Sequence, residues 1–441
     1  MTLKKIISYF LLFGFTTTLS AANWLMLQGT QAEGFKRTTP IIWGFIQVNY
    51  KHDSGKVVLK NGSNKTPFSL LGPDLASQSG FNIGRGRLGV RGMADSENKI
   101  NYFVLTAFEN SGVTNLGGHG SDVGEFFLDA SVTFKHIPYV KVRVGQFKTP
   151  GSEEGLRATF ASPYIEFTSF INMELLERQI YNVITAGSDF HQGPPASSVS
   201  AYRDKGAQLF DTFSLLDNWS LSYAYMYGNG SGIKSSVTPN QGTHYGYLAL
   251  ENSFNKGKGF YTESLKAYIW GQSGNREILV NSGTATQFES NRRDRYGIGV
   301  TYYENGLRIT SELMVARGMI YTGAKDVDND PNVSNWEIQQ ATGYKNEAYG
   351  GYFNIQYELL PKKLEVFSRY DQLNRVTNSS VNKRIFKTVT LGTSYRFKGA
   401  TRLDFNYAFR DATAPSNSGA QTILDSMGSR LMFQVTAFFK N

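Results

Sequence analysis

From Ile41 onward the chain alternates apolar and polar residues at period two, in segments of about ten. That is the pattern of strands whose two faces meet different surroundings. Within Thr401–Arg410, Leu403, Phe405, Tyr407 and Phe409 fall on one face, and Arg402, Asp404, Asn406, Ala408 and Arg410 on the other. Arg293–Tyr303 repeats the arrangement, with Tyr296, Ile298, Val300 and Tyr302 opposing Arg293, Arg295, Gly297 and Thr301. Near the end, Leu431, Phe433, Val435, Ala437 and Phe439 oppose Gln434, Thr436 and Lys440. About sixteen such segments can be marked: 41–51, 81–93, 98–109, 126–136, 139–147, 205–213, 218–228, 243–253, 260–271, 293–304, 306–317, 345–358, 363–374, 384–397, 400–411 and 428–440. An even number lets an up-and-down barrel close.

The connections between these segments alternate short and long. Short turns are expected at Ala94–Glu97, Ile137–Pro138, Ser214–Leu216, Asn305, Leu359–Lys362 and Lys398–Gly399. Long polar stretches fall at 52–80, 148–204, 272–292, 318–344 and 412–427. Outer-membrane barrels have this asymmetry, with tight periplasmic turns and long outer loops; a soluble sandwich has no reason to place its long loops at alternate connections. The pattern therefore predicts an all-β fold, a transmembrane antiparallel β-barrel of about sixteen strands. Beyond residue 22 no stretch stays apolar for the ~20 residues a spanning helix needs. Met1–Ala22 reads as a signal peptide: Lys4 and Lys5 precede the apolar run Ile6–Phe15, and Ser20, Ala21 and Ala22 supply small residues for cleavage. The expected organisation is a signal peptide over 1–22, a periplasmic N-terminal segment over 23–40 and a barrel over 41–441, exported to a bacterial outer membrane.

Composition sharpens this picture. There is no cysteine, which excludes a disulfide scaffold, a thiol nucleophile and lipoprotein processing. Charged residues are 18% of the chain, against roughly 25% in ordinary globular domains. The 31 Phe, 25 Tyr and 5 Trp are expected to face lipid, with Tyr223, Tyr225 and Tyr227 in an interfacial girdle, and to leave no single packed core. A charge at the bilayer midplane costs roughly 2–4 kcal/mol, so strand charges belong inside. This places Arg85, Arg87 and Arg91 together on one inward face and Lys141 and Arg143 on another. Lys135, Lys266, Arg293, Arg295, Arg308, Arg369, Arg384, Arg396, Arg402 and Arg410 join them. Inward acids are fewer: Glu109, Asp129, Glu312, Glu358, Glu365, Asp371 and Asp404. About half of the bases are expected to pair with acids across strands. The remaining excess makes the lumen positive and favours anions. Without the signal peptide's two lysines the net charge falls from +9 to only +7, so the location of that charge matters more than its size.

Several segments, in order, resemble the phosphate-selective porin O/P family of Gram-negative outer membranes. They are FNIGRGRLGVRG (Phe81–Gly92), FFLDASVTF followed by VRVGQFKTP (Val142–Pro150), MELLERQI (Met173–Ile180), YRDKGAQL (Tyr202–Leu209) and YGNGSG (Tyr227–Gly232), with SRYDQL (Ser368–Leu373) further on. The resemblance implies a sixteen-stranded homotrimeric porin whose third long loop, here Thr149–Arg203, folds into the lumen and narrows it. It implies anion binding by Arg85, Arg87 and Lys148 at the constriction, with Arg91 and Arg143 beside them and Arg157 and Arg178 within the loop. Two departures stand out. Gly151–Ser152–Glu153–Glu154 replaces the family's Phe-Gly and adds two acids near the constriction, and Phe439 is followed by Lys440 and Asn441 where such barrels end in an aromatic.

Other motifs carry less. Gly84–Gly89 satisfies G-x-G-x-x-G, but Val90, Arg91 and Gly92 continue a strand where a dinucleotide site needs a helix. Its glycines are better read as letting side chains approach the wall. Asp326, Asp328, Asp330 and Glu337 occupy positions 1, 3, 5 and 12 of a calcium loop, yet Pro331 stands where a glycine must turn. A solvated acidic loop fits better, with a divalent ion bridging it to anionic lipid as the weaker reading. The five histidines are scattered, no nucleophile elbow is present, and the basic residues do not form a nucleic-acid motif. The sequence thus points to a passive pore, not an enzyme, with no cofactor. Its expected partners are outer-membrane lipid, lipopolysaccharide and small anionic solutes. The alternatives are a general or sugar-selective porin, and a non-conducting barrel adhesin.

Overall fold

The computed structural model describes residues 23–27, 39–55, 57–58, 64–65, 79–109, 124–176, 183–185, 202–233, 242–254, 256–257, 259–281, 286–321, 340–341, 346–397, 401–418, 421, 424–425 and 427–440. Sixteen strands form the wall. They are β1 (Ile41–Asp53), β2 (Ser79–Met93), β3 (Ile100–Glu109), β4 (Gly124–Ile137), β5 (Val140–Lys148), β6 (Arg203–Leu216), β7 (Trp219–Gly228) and β8 (Thr243–Ser253). The second half comprises β9 (Ser264–Asn281), β10 (Thr286–Glu304), β11 (Leu307–Gly318), β12 (Glu347–Leu360), β13 (Leu364–Arg375), β14 (Arg384–Arg396), β15 (Arg402–Thr413) and β16 (Arg430–Lys440). Each pairs antiparallel with its neighbours in sequence. The barrel closes because β1 pairs on one side with β2 (Ile41 opposite Arg91) and on the other with β16 (Trp43 opposite Lys440, Asp53 opposite Arg430). No helix among the described residues is long and apolar enough to cross a membrane; strands do the crossing.

The faces follow the period-two pattern. Outward side chains such as Ile298, Leu313, Leu403 and Phe409 are exposed, while their neighbours Arg295, Glu312, Arg402, Asp404 and Arg410 are buried inside. Exposed apolar and buried charged residues invert a soluble protein's order, as expected when lipid is the outer solvent. At the Asn305–Gly306 turn both residues take positive φ (49° and 80°), the backbone of a two-residue hairpin turn.

Three expectations are corrected. The turn placed at Ser214–Leu216 lies at Asp217–Asn218, because β6 continues outward through Leu215 and Leu216. The long connection at 272–292 is a tall hairpin: β9 and β10 have 18 and 19 residues, and only 282–285 separates them. Eighteen residues at about 3.3 Å each span roughly 60 Å, far more than the hydrocarbon layer. Beyond the lipid no apolar face is needed, so the pattern lapses while backbone pairing continues. Finally, the lumen does hold a packed apolar core. Leu156, Phe170, Ile171, Met173, Leu175 and Leu176 of the segment after β5 pack against inward Phe210, Tyr247, Tyr268, Trp270, Tyr352 and Phe386. This core fills the side of the lumen bordered by β6–β15.

Candidate pore constriction

The narrowing is built by the chain that leaves β5 at Lys148. Its two ends are pinned where Thr149 N–H donates to the Tyr202 carbonyl (2.8 Å). A short helix follows (α1, Glu153–Leu156). Lys148 Nζ donates to the carbonyls of Gly155, Leu156 and Arg157 at 2.9, 3.1 and 3.0 Å. An ammonium has three donors, so all are engaged at the helix C-terminus, where a cation is favoured. Lys148, expected to bind anions, thus braces the loop and supplies charge without a spare donor.

From there the loop crosses the lumen and is fastened to the wall. Ser152 Oγ donates to Glu312 (2.9 Å), which also accepts from Trp270 Nε1 (2.6 Å) and the Tyr352 hydroxyl (2.7 Å). Glu153 pairs with Lys266 at 2.7 Å and Glu154 with Arg369 at 3.2 Å, so the two acids that depart from the family pattern are matched by wall bases. Asn406 donates to the Pro163 carbonyl and accepts from Ile165 N–H, and Ser169 N–H donates to Asp371 at 2.9 Å. Glu166 accepts from Lys51 and Arg430, both at 2.7 Å; Arg430 and Arg410 in turn hold Asp53 at 2.8 and 2.5 Å. Arg295 Nε donates to the Glu174 carbonyl at 2.8 Å.

Two loop carboxylates behave oppositely. Burial alone would raise the Glu166 carboxyl, but the Arg430 and Lys51 charges outweigh it and hold the group well below the usual range. For Glu154 burial wins over Arg369 and the Thr168 hydrogen bonds, and its carboxyl is raised. A raised acid binds its proton more readily folded than unfolded, so stability from this group grows as pH falls through the raised value toward the ordinary ~4.3. Glu154→Gln is therefore expected to flatten the change of thermal stability between pH 7 and 4.5. Unfolding curves of both proteins across that range check this.

An opening lies on the other side, against β1, β2, β3 and β16. A cavity of about 260 Å³ is lined by Arg87, Arg91, Lys148, Arg203, Lys440 and Asp129, with Trp24, Trp43, Phe45, Phe103, Phe160 and Phe438 among the apolar groups. Asp129 is already engaged by Arg203 at 2.8 Å. Arg87 donates to Thr159 Oγ1 of the loop (3.3 Å), and Arg85 to Gln47 (2.9 Å). Arg91 has no carboxylate within 4 Å among the described residues. Gly89 between them carries no Cβ because one would meet the Trp43 indole at 2.7 Å; the glycine-rich motif lets that ring lie on the wall.

A smaller cavity of about 30 Å³ is lined by Arg157, Arg308, Glu153 and Glu154, and Trp24 borders both. Asn23–Leu27, from the segment expected in the periplasm, packs inside the barrel. Leu25 is 1% exposed and Asn23 Nδ2 donates to Ser222 Oγ at 2.6 Å.

The other candidates separate from this opening. Lys141 pairs with Asp211, and Arg143 donates to Thr133 (3.2 Å) while lying 4.4 Å over the Phe210 ring. Arg157 donates to the Ala161 carbonyl at 3.1 Å. At least seven of the fifteen inward bases approach a carboxylate: Lys141, Lys266, Arg295, Arg369, Arg396, Arg402 and Arg410. Arg178, the Glu109 side chain and the calcium-loop residues Asp326, Asp328, Asp330 and Glu337 lie outside the described residues. What the sequence reading missed is the fastening role of Glu153, Glu154, Glu166 and Glu174; four acids in a loop expected to enter a basic lumen were the available signal.

A family model described as phosphate-selective porin O and P matches residues 68–436. No curated protein matches the chain. Among solved structures, the chain is similar to the trimer form of OmpT, an outer-membrane protein of Vibrio cholerae (13% identity, 91% of this chain and 99% of that one, TM-score 0.50). It is also similar to OmpF of Salmonella typhi (12%, 90% and 97%, 0.52) and OprB of Pseudomonas putida (7%, 91% and 94%, 0.50). At these identities the likeness concerns the fold.

Proposed function

The chain belongs to the phosphate-selective porin O and P family and is an outer-membrane porin, and from that premise we propose that it conducts small hydrophilic solutes passively with a preference for anions such as phosphate and polyphosphate. One observation carries the preference: five basic side chains and one carboxylate line the open cavity, and the carboxylate pairs with one of the five, Arg203, which leaves four bases in excess. Low-dielectric walls focus this field, so an anion meets a lowered barrier and a cation a raised one. Arg87 and Arg91 of β2 are the proposed anion-facing groups, with Arg85 above them and Lys148 adding charge from the loop root. Several moderate contacts let an anion enter and leave, where one tight site would trap it.

The same reading includes a signal peptide removed after Ala22 and assembly as a homotrimer, in line with the trimer form of the Vibrio cholerae neighbour. Outer-membrane lipid and lipopolysaccharide are its proposed surroundings. Reconstituted channels in a potassium chloride gradient are expected to show a reversal potential of the anion-selective sign, and added phosphate is expected to block the chloride current. A cation-selective sign would favour a general or sugar-selective porin, and absence of conductance steps a barrel adhesin.

A further inference from the structure

We propose that the open cavity is a subsite for an anion carrying an aromatic ring, an aryl carboxylate; this rests on the anion-preferring reading above and narrows its substrate class. The charged side of the cavity accounts for an anion, but it does not account for the rings. Among the described residues many inward aromatics, such as Tyr247, Tyr268 and Trp270, are packed in the apolar cluster with the loop. Here Trp43 stacks on Phe103 (6.3 Å, 3° between planes) and meets Phe160 and Phe438 at 6.1 and 6.4 Å. Phe160 closes on Phe45 and Phe438 at 5.5 and 5.1 Å. These rings support one another yet border about 260 Å³ of open space. A small inorganic anion gains from such a wall only the focused field, whereas an aryl group also gains ring contact.

The dimensions suit a ring with a charged substituent. An apolar cavity of about 150 Å³ is enough to hold benzene, which leaves room here for a carboxylate and the water around it. Quadrupolar rings favour edge-to-face or offset contact with a further ring. Phe160 comes from the inturned loop, Trp43 from β1 and Phe438 from β16, so three separate elements present ring surface to the cavity. The acid group has a partner in Arg91, on the same inward face of β2 as Arg87, whose guanidinium lies 5.8 Å from the Phe45 centroid. Guanidinium and carboxylate match as planar groups. Lys148, its donors engaged by carbonyls, adds only potential.

Block of the chloride current through single channels tests this, with benzoate, acetate, benzyl alcohol and phosphate as probes. Benzoate is expected to block at about tenfold lower concentration than acetate, and benzyl alcohol not at all. Phe160→Ala is expected to bring the benzoate and acetate constants together, and Arg91→Gln to weaken both alike. Phe438→Ala gives the same readout from the wall if the loop variant forms no channels. Equal block by benzoate and acetate in the unaltered protein, or an unchanged ratio in these ring variants, would overturn the inference. If phosphate still blocks an anion-selective channel in that case, only the aryl subsite fails. A cation-selective reversal potential would instead remove the reading beneath it.

Discussion

Glu166→Gln is expected to loosen the inturned loop, raising single-channel conductance and lowering the barrel's thermal stability. Glu166 is 8% exposed and is the acceptor for two cations, Lys51 and Arg430, that are themselves 3% and 0% exposed. Breaking a buried pair by removing one partner costs about 3–5 kcal/mol, because the other charge stays buried without compensation. Arg430 keeps Asp53 at 2.8 Å, whereas Lys51 loses the carboxylate 2.7 Å from its Nζ. Unfolding of Glu166→Gln beside the unaltered protein measures the loss. The sign with pH follows: a depressed carboxyl contributes its full stability above the ordinary ~4.3 and loses it progressively as pH falls from there through its lowered folded value. The fastening should hold at pH 4, where an ordinary glutamate is already substantially protonated. An unchanged conductance and unfolding curve in Glu166→Gln would mean that the apolar core alone holds the loop.

The wall was legible in the sequence because lipid imposes a demand on every strand. Each crossing must show apolar side chains at every second position, so Leu403–Phe409 and Tyr296–Tyr302 announce both the strand and its orientation. The upper parts of β9 and β10 escaped because no lipid surrounds them. The lumen was legible only on its charged positions. In β8, Tyr245, Tyr247 and Ala249 face inward while Leu248 and Leu250 face outward, so both faces are apolar and the alternation does not reveal which aromatics pack inside. The loop's fastenings were hidden for a different reason. Glu166 and Arg430 are 264 positions apart, and a single sequence does not say which lumen base an acid will meet. Glu153 and Glu154 looked like a charge burden near the constriction, and Lys266 and Arg369 remove it. The Arg-rich run of β2 was read for its charge, but its glycines are equally informative, since Gly89 is where the Trp43 ring comes to rest.

Trp24→Ala is expected to raise single-channel conductance while leaving the reversal potential in place. The indole borders both the larger and the smaller cavity, so it is a wall between them. Its ring lies 6.0 Å from Phe260 at 53°. Removing it need not release the segment, because other groups hold Asn23–Leu27: Leu25 is packed in the apolar cluster, Asn23 bonds Ser222, and Met26 N–H closes a turn on the Asn23 carbonyl at 3.0 Å. Conductance depends on the narrowest open section, and joining the two spaces should increase it. Ion preference depends on the surrounding charges, and no charge is changed. Leu25→Asp provides the contrast. A buried carboxylate among apolar groups is costly without a partner, so it should expel the whole segment and increase conductance further. If Trp24→Ala and Leu25→Asp both leave the conductance unaltered, the amino-terminal segment lies outside the ion path. If conductance rises in the order unaltered, Trp24→Ala, Leu25→Asp, and Trp24→Ala keeps the reversal potential, the amino-terminal segment limits size without setting charge preference.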